Sequence, residues 1–319
     1  MTDARPSSRT DKEEQRSASP DFLVLVIDLN PFAWLKNSPS QDGAAAFEAI
    51  KTTLTTTMVF LNAHTSMNHG NGLAVYGATN GTAELLYTTA TYTEAAKIQK
   101  ETDVNVCLPF EQVDDAVFIG VRRMLETSCA KDRNANNTVG IVRALSLALC
   151  HINRMAETLQ LGEHHGLASS TLDTNGPMRR NDGSNPGSDT FRFRIQILSV
   201  TPDASTQYVP MMNCIFCAQK MGIPIDVCHL FGEDPVFLRQ ASHLTGGHYY
   251  NLKSLDGLLQ VLMTVYLPSR SIRPLLMFPA EDDVDYRAAC FCHRRVIDIG
   301  YICSSRQRYN DEKVLSLLK

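Results

Sequence analysis

Several features that would assign chemistry at once are missing from this chain of 319 residues. No apolar run approaches the roughly 20 residues a helix needs to cross a bilayer. The amino terminus, MTDARPSSRTDKEEQRSASP, has no apolar core of the kind a secretory signal carries. Cysteines number nine, an odd count at irregular spacing, which makes a poor disulfide framework. Cys150 and Cys214 sit in apolar, helical surroundings and read as buried thiols. These absences point to a soluble, intracellular protein in a reducing compartment, with no membrane partner. The net charge is only −4, so electrostatics alone makes no case for nucleic-acid binding, and the residues assign no direct DNA contact. There is one tryptophan, Trp34.

What is present begins with FLVLVIDLN at Phe22–Asn30. A nearly unbroken Val/Leu/Ile run reads as a strand buried on both faces, with polar residues only at its carboxyl end. Residues 1–20 before it are polar and aperiodic and read as a disordered tail. NPFAWLKNSPSQDG after it reads as a loop. From Ala44 to Asn62, Ala46, Ile50, Leu54, Met58 and Leu61 mark one helix face. GLAVYGAT (72–79) and AELLYTT (83–89) are strands joined by Asn80-Gly81, a strong hairpin signal. Two helices follow, Phe110–Thr127 and Asn137–Leu159. Residues 161–190, dense in Gly, Ser, Asn and Pro, read as a mobile insertion in which His164-His165 is a solvated pair. FRFRIQILSV (191–200) is a strand. Thr206–Met221 is a helix with Val209, Met212, Ile215 and Phe216 inward. GIPIDVCHL (222–230) is a strand, Asp234–Thr245 a helix, and HYYNL (248–252) a strand. The last helix starts at Ser254 and turns Leu255, Leu258, Leu259, Leu262 and Val265 inward, ending before Pro268. Alternation of this kind implies an α/β fold, a doubly wound, mostly parallel six-stranded sheet with one antiparallel strand. One domain then spans 21–268, with a linker at 269–289 and a cysteine-containing tail at 290–319.

The carboxyl edge of such a sheet is where ligands bind. The turn after the first strand, DLNPFAW, has no glycine to let backbone approach a pyrophosphate, which excludes a dinucleotide enzyme. No GxxxxGK(S/T) phosphate loop and no GxSxG elbow occurs anywhere, so neither a P-loop nucleotidase nor a serine hydrolase is indicated, and no small-molecule substrate is implied. A divalent-metal site remains: an Asp at the strand end with hydroxyls two and four residues on, D-x-S-x-S, holds Mg²⁺ through oxygens. That pattern marks von Willebrand factor A domains, which the order of elements over 22–268 resembles. The matching positions are Asp28, Asn30 and Phe32, with Thr138, Thr201 and Asp203 near where further ligands come from. An amide ligates weakly and a phenyl ring not at all. The resemblance therefore implies a degenerate Mg²⁺ site at Asp28, Asn30 and Asp203, with Mg²⁺ unlikely as a cofactor. The alternative is that Asp28 and Asn30 bond to loop backbone. Pro31, Phe32 and Trp34 offer an apolar segment either to a partner or to the core.

In the tail, Cys290, Cys292, His293 and Cys303 supply thiolates and an imidazole, a donor set suited to Zn²⁺ but without CxxC spacing and incomplete as a site. The string ACFCHRRVIDIGYICS, with NPFAW after the first strand, is similar to the family of smaller von Willebrand-type subunits of the transcription and repair factor TFIIH core. Relatives carry further paired cysteines, where this chain ends in SSRQRYNDEKVLSLLK. The resemblance implies zinc as a cofactor and a non-catalytic structural subunit in the nucleus. It also implies a partner in the larger TFIIH subunit with its own A-type domain and zinc modules, in transcription initiation and nucleotide excision repair. The alternative is a Mg²⁺-dependent ligand-binding module outside TFIIH.

Overall fold

In a computed structural model, residues 20–38, 42–68, 70–89, 108–130, 140–164, 192–270 and 272–278 are described, with the strand residues 288–289, 296–297, 301–302 and 309–310 in the tail. The Phe22–Asn30 run becomes β1 (Asp21–Asp28), buried at every position. It lies at the centre of a six-stranded sheet, parallel to β2 (Gly72–Ala78) on one side and β4 (Arg192–Ser199) on the other. β3 (Ala83–Thr88) closes one end as the antiparallel hairpin partner of β2, and β5 (Ile225–His229) and β6 (Tyr249–Asn251) extend the other. The spatial order is β3-β2-β1-β4-β5-β6.

Alternation along β1 divides the core. Leu23, Leu25 and Ile27 pack with α2 (Gly43–Met67) and α3 (Leu108–Ala130). Phe22, Val24 and Val26 face α4 (Gly140–His164), α5 (Tyr208–Met221) and α6 (Val236–Thr245). A strand covered on both faces by helices has no polar side to place, which is why its sequence is continuously apolar. Gly140 shows how tightly α4 seats on the sheet. A Cβ there would lie 2.0 Å from the Thr79 carbonyl, a contact only glycine allows.

Five expectations need correction. The stretch after β1 is not all loop: Pro31–Asn37 forms α1, capped by Asn30, whose side chain accepts from the Phe32 N–H, with Pro31 in the first turn. A helix of seven residues is too short for periodicity to reveal. In α5 the buried residues are Met211, Cys214, Ile215 and Ala218, while Val209 and Phe216 are exposed. The buried face of that helix is therefore offset from the one the sequence suggests, with Ile215 common to both. Cys150 is exposed on α4, whereas Cys214 is buried as expected. In the last helix, α7 (Leu258–Val261), Leu259 points outward.

The last correction concerns the chain's exit. A wide turn over Leu262–Tyr266 follows α7 and carries Tyr266 fully into the core, where its hydroxyl donates to the Val227 carbonyl at 2.6 Å. Residues 272–278 then run back over the sheet, although the sequence places them in the linker. Arg273 pairs with buried Asp226 through two hydrogen bonds of 2.8 and 2.6 Å, and the Phe278 ring stacks on His248 at 4.2 Å. This strap is part of the domain. In the tail, β7 (Ala288–Ala289) pairs antiparallel with β8 (Val296–Ile297), and β9 (Tyr301–Ile302) with β10 (Tyr309–Asn310). Residues 1–19 of the expected disordered tail 1–20 and most of the 161–190 insertion lie outside the described residues. Among the described residues no helix is long and apolar enough to cross a membrane.

Candidate functional site

β1 delivers Asp28 to the carboxyl edge, where the loop after β4 crosses it. Both carboxylate oxygens are engaged by backbone. Oδ2 accepts from the Val200 and Thr201 N–H groups at 3.0 and 2.7 Å, and Oδ1 accepts from the Asn30 N–H at 3.2 Å. Asp28 is only 2% exposed. Burial pushes its pKa up, and these donors pull it back. Such a carboxylate ties two loops together.

The neighbouring oxygens are committed too. Asn30 uses Oδ1 to cap α1 and donates through Nδ2 to Thr201 Oγ1 at 3.3 Å. Asp203 accepts from the Phe237 N–H at 2.7 Å. It thereby caps α6, whose own cap residue, Pro235, makes no side-chain bond. Burial, with the nearby Asp234 carboxylate, raises Asp203 to about 6. Phe32, at the third position of D-x-S-x-S, contributes no oxygen. The structure thus brings Asp28, Asn30 and Thr201 into one hydrogen-bonded cluster, and their arrangement does not fit a divalent cation. Among the described residues no group of three or more His, Cys, Asp or Glu side chains is placed to hold a metal ion. Thr138 lies outside the described residues, as do Cys290, Cys292, His293 and Cys303.

The apolar segment divides. Trp34 is 1% exposed, donates its indole N–H to the Asp28 carbonyl at 2.9 Å and meets Phe231 edge-to-face at 5.1 Å. Its place is under the edge, out of a partner's reach. Phe32 and Leu35 remain on the surface, 44% and 39% exposed, beside a Lys36–Glu233 ion pair. Pro31 is half-buried between them.

Sequence reasoning missed a second cluster, at the amino edge. Asp226 accepts from Arg273 and also from the His248 N–H at 3.0 Å. Arg194 donates to the Tyr266 carbonyl and lies 3.3 Å from His64 Nδ1, while His64 Nε2 is 3.3 Å from the Gly72 carbonyl. A carbonyl can only accept and a guanidinium can only donate. The ring is therefore neutral with its proton on Nε2. Burial first, and then the Arg194 charge, lower His64 to about 4. The available signal was a charge inside an apolar strand, Arg194 in FRFRIQIL and Asp226 in PIDVCH, because buried charges require partners.

The sequence and the fold are similar to those of known proteins. The chain matches the family described as "Transcription factor Tfb4" over residues 20–305. It is 35% identical over 295 residues to "General transcription and DNA repair factor IIH subunit tfb4" of Schizosaccharomyces pombe, covering 92% of this chain and 85% of that one. The Arabidopsis thaliana subunit of the same description is 29% identical over 300 residues, with 91% and 84% covered. Among solved structures it is similar to the TFIIH p34 N-terminal domain, 26% identical with a TM-score of 0.56, covering 76% of this chain and 96% of that one.

Proposed function

Because the chain belongs to the transcription factor Tfb4 family, we propose that it is a structural, non-catalytic subunit of the general transcription and DNA repair factor IIH. It acts in the nucleus through protein–protein contacts that serve RNA polymerase II initiation and nucleotide excision repair. One observation carries the non-catalytic reading: the carboxylate at the head of the ligand-binding edge has both oxygens taken by backbone N–H groups. An edge occupied in this way offers surface rather than chemistry. The partner is the larger subunit with its own A-type domain and zinc modules, and Phe32 and Leu35 are the contact side chains at this edge. In the tail, Cys290, Cys292, His293 and Cys303 are donors of the kind zinc takes, but as a set they are incomplete.

The test is recovery of the factor IIH core from nuclear extract with the full chain as bait, with and without added Mg²⁺. Equal recovery is expected in both. Recovery only with Mg²⁺ would favour a metal-dependent ligand binder, and no recovery in either buffer would sink the assignment. Phe32→Glu with Leu35→Glu is expected to weaken recovery while leaving the unfolding midpoint in place.

A further inference from the structure

The strap is held from below and bare above. Arg273 is 7% exposed and locked to Asp226, yet Leu275 is 83% and Met277 100% exposed, with Ile272 and Leu276 partly so. Ordering a segment that displays apolar side chains to water is unfavourable unless something covers them. Beside these residues, α7 and the turn leading into it border a groove of about 730 Å³, lined by Leu252, Val261, Val265, Met277 and Phe278 among others. Asp256 is the one charged residue of that lining.

We propose that this groove is the docking site of the chain's own tail hairpin, β7–β8, Ala288–Ile297. Reach is the first argument. The chain leaves the strap at Phe278, on the groove's wall, and residues 279–287 span at most about 30 Å when extended. So short a tether keeps the hairpin at an effective concentration on the order of millimolar. Need is the second. Two strands of two residues each, in register Ala288↔Ile297 and Ala289↔Val296, form a hairpin that is marginal by itself and requires an apolar surface. In sequence, Phe291, Val296 and Ile297 are apolar, as most of the groove's lining is. Charge is the third: the sequence carries Arg287, Arg294 and Arg295 within and next to this segment, opposite in sign to Asp256.

Amide hydrogen exchange on the full chain tests the docking. Leu275→Asp with Met277→Asp changes only exposed positions and is expected to speed exchange at 288–297 by about tenfold, with β1 and β4 unaffected. Unchanged exchange at 288–297 overturns the proposal. Asp256→Arg is expected to speed the same amides, and adding Arg294→Glu and Arg295→Glu is expected to restore them; failure of that restoration overturns it as well. If 255–265 gain protection only when other factor IIH subunits are added, the occupant is a partner and the tail is excluded.

Discussion

The two edges of the sheet use polar groups in opposite ways. At the carboxyl edge, where this architecture places its binding crevice, one buried carboxylate is satisfied wholly by neutral donors, the N–H groups of Asn30, Val200 and Thr201. At the amino edge, Asp226, Arg273, Arg194 and His64 form a buried charged network that fixes the path by which the chain leaves the domain. The edge where this architecture binds ligands is tied up by backbone donors, and the edge with no expected task carries the charges. A buried carboxylate whose two oxygens both accept from backbone N–H groups can be read as structural, because each donor fixes a different stretch of loop to it. A buried ion pair between residues 47 apart indicates instead that two distant segments must remain together.

The largest effect should come from splitting that pair. Arg273→Met leaves Asp226 buried without its cation and is expected to cost about 3–5 kcal/mol, read as a lower denaturant midpoint. Replacing both partners, Asp226→Leu with Arg273→Met, removes the uncompensated charge and should recover most of the loss. The same single change should expose the strap to protease after Leu267. An Arg273→Met protein as stable as the parent would mean that the strap is an ornament and that the two edges do not differ in this way.

The edges also titrate against each other. The unfolded chain protonates His64 near its ordinary value of 6.5, whereas the folded state resists until about 4. That contribution is fully present above about 6.5 and is lost as pH falls toward 4, about 3 kcal/mol in all. Burial of an imidazolium is the main cause of the loss, and protonating Nδ1 also sets a positive charge against the Arg194 guanidinium. Asp203 has the opposite sign. Raised to about 6 from 3.8, its contribution is present below the lower value and is lost as pH rises through the upper one. His64→Gln should therefore flatten the acid-side fall in stability, and Asp203→Asn should steepen it. Denaturant titrations at pH about 7 and about 4.5 read both slopes. If His64→Gln keeps the parent slope, the acid sensitivity lies elsewhere.

Much of the fold was legible because it is written locally. The Asn80-Gly81 hairpin, the double-sided apolarity of β1 and the strand–helix alternation are all short-range patterns, and the sheet follows from them by topology. The Asp28 position was legible as well, since Phe32 excludes a third oxygen at once. Whether Asp28 would bind backbone or stay open was not, because its donors at 200 and 201 belong to a loop brought in by β4. The strap was illegible for the same reason. SRSIRPLLMF has no periodicity, and only the far side of the sheet reveals why Arg273 is there. Trp34 stands between these cases. The sequence offered both a surface anchor and a core residue, and α1, too short to detect, decided for the core.

Trp34 gives the next effect in size. Trp34→Phe keeps most of the apolar volume but removes the donor to the Asp28 carbonyl. An unsatisfied buried acceptor costs about 1–3 kcal/mol, so a loss near 2 is expected in equilibrium unfolding. Recovery of factor IIH should be unchanged, since a residue 1% exposed cannot be a contact. Loss of recovery with normal stability would place the contact on Trp34 after all and would make the carboxyl edge an open surface.

The smallest effect separates a missing ligand from a sealed site. Phe32→Ser restores a hydroxyl at the third position of D-x-S-x-S. Phe32 is 44% exposed, so the change should move stability by no more than about 0.5 kcal/mol. If the absent oxygen were all that kept Mg²⁺ away, calorimetric titration of Phe32→Ser with Mg²⁺ would show binding. No binding is expected, because the obstacle is Asp28 itself. A cation there would have to displace the N–H groups of Val200 and Thr201 from Oδ2, leaving two buried donors unpaired at about 1–3 kcal/mol each. Those N–H groups belong to the loop after β4, which a serine at position 32 does not move.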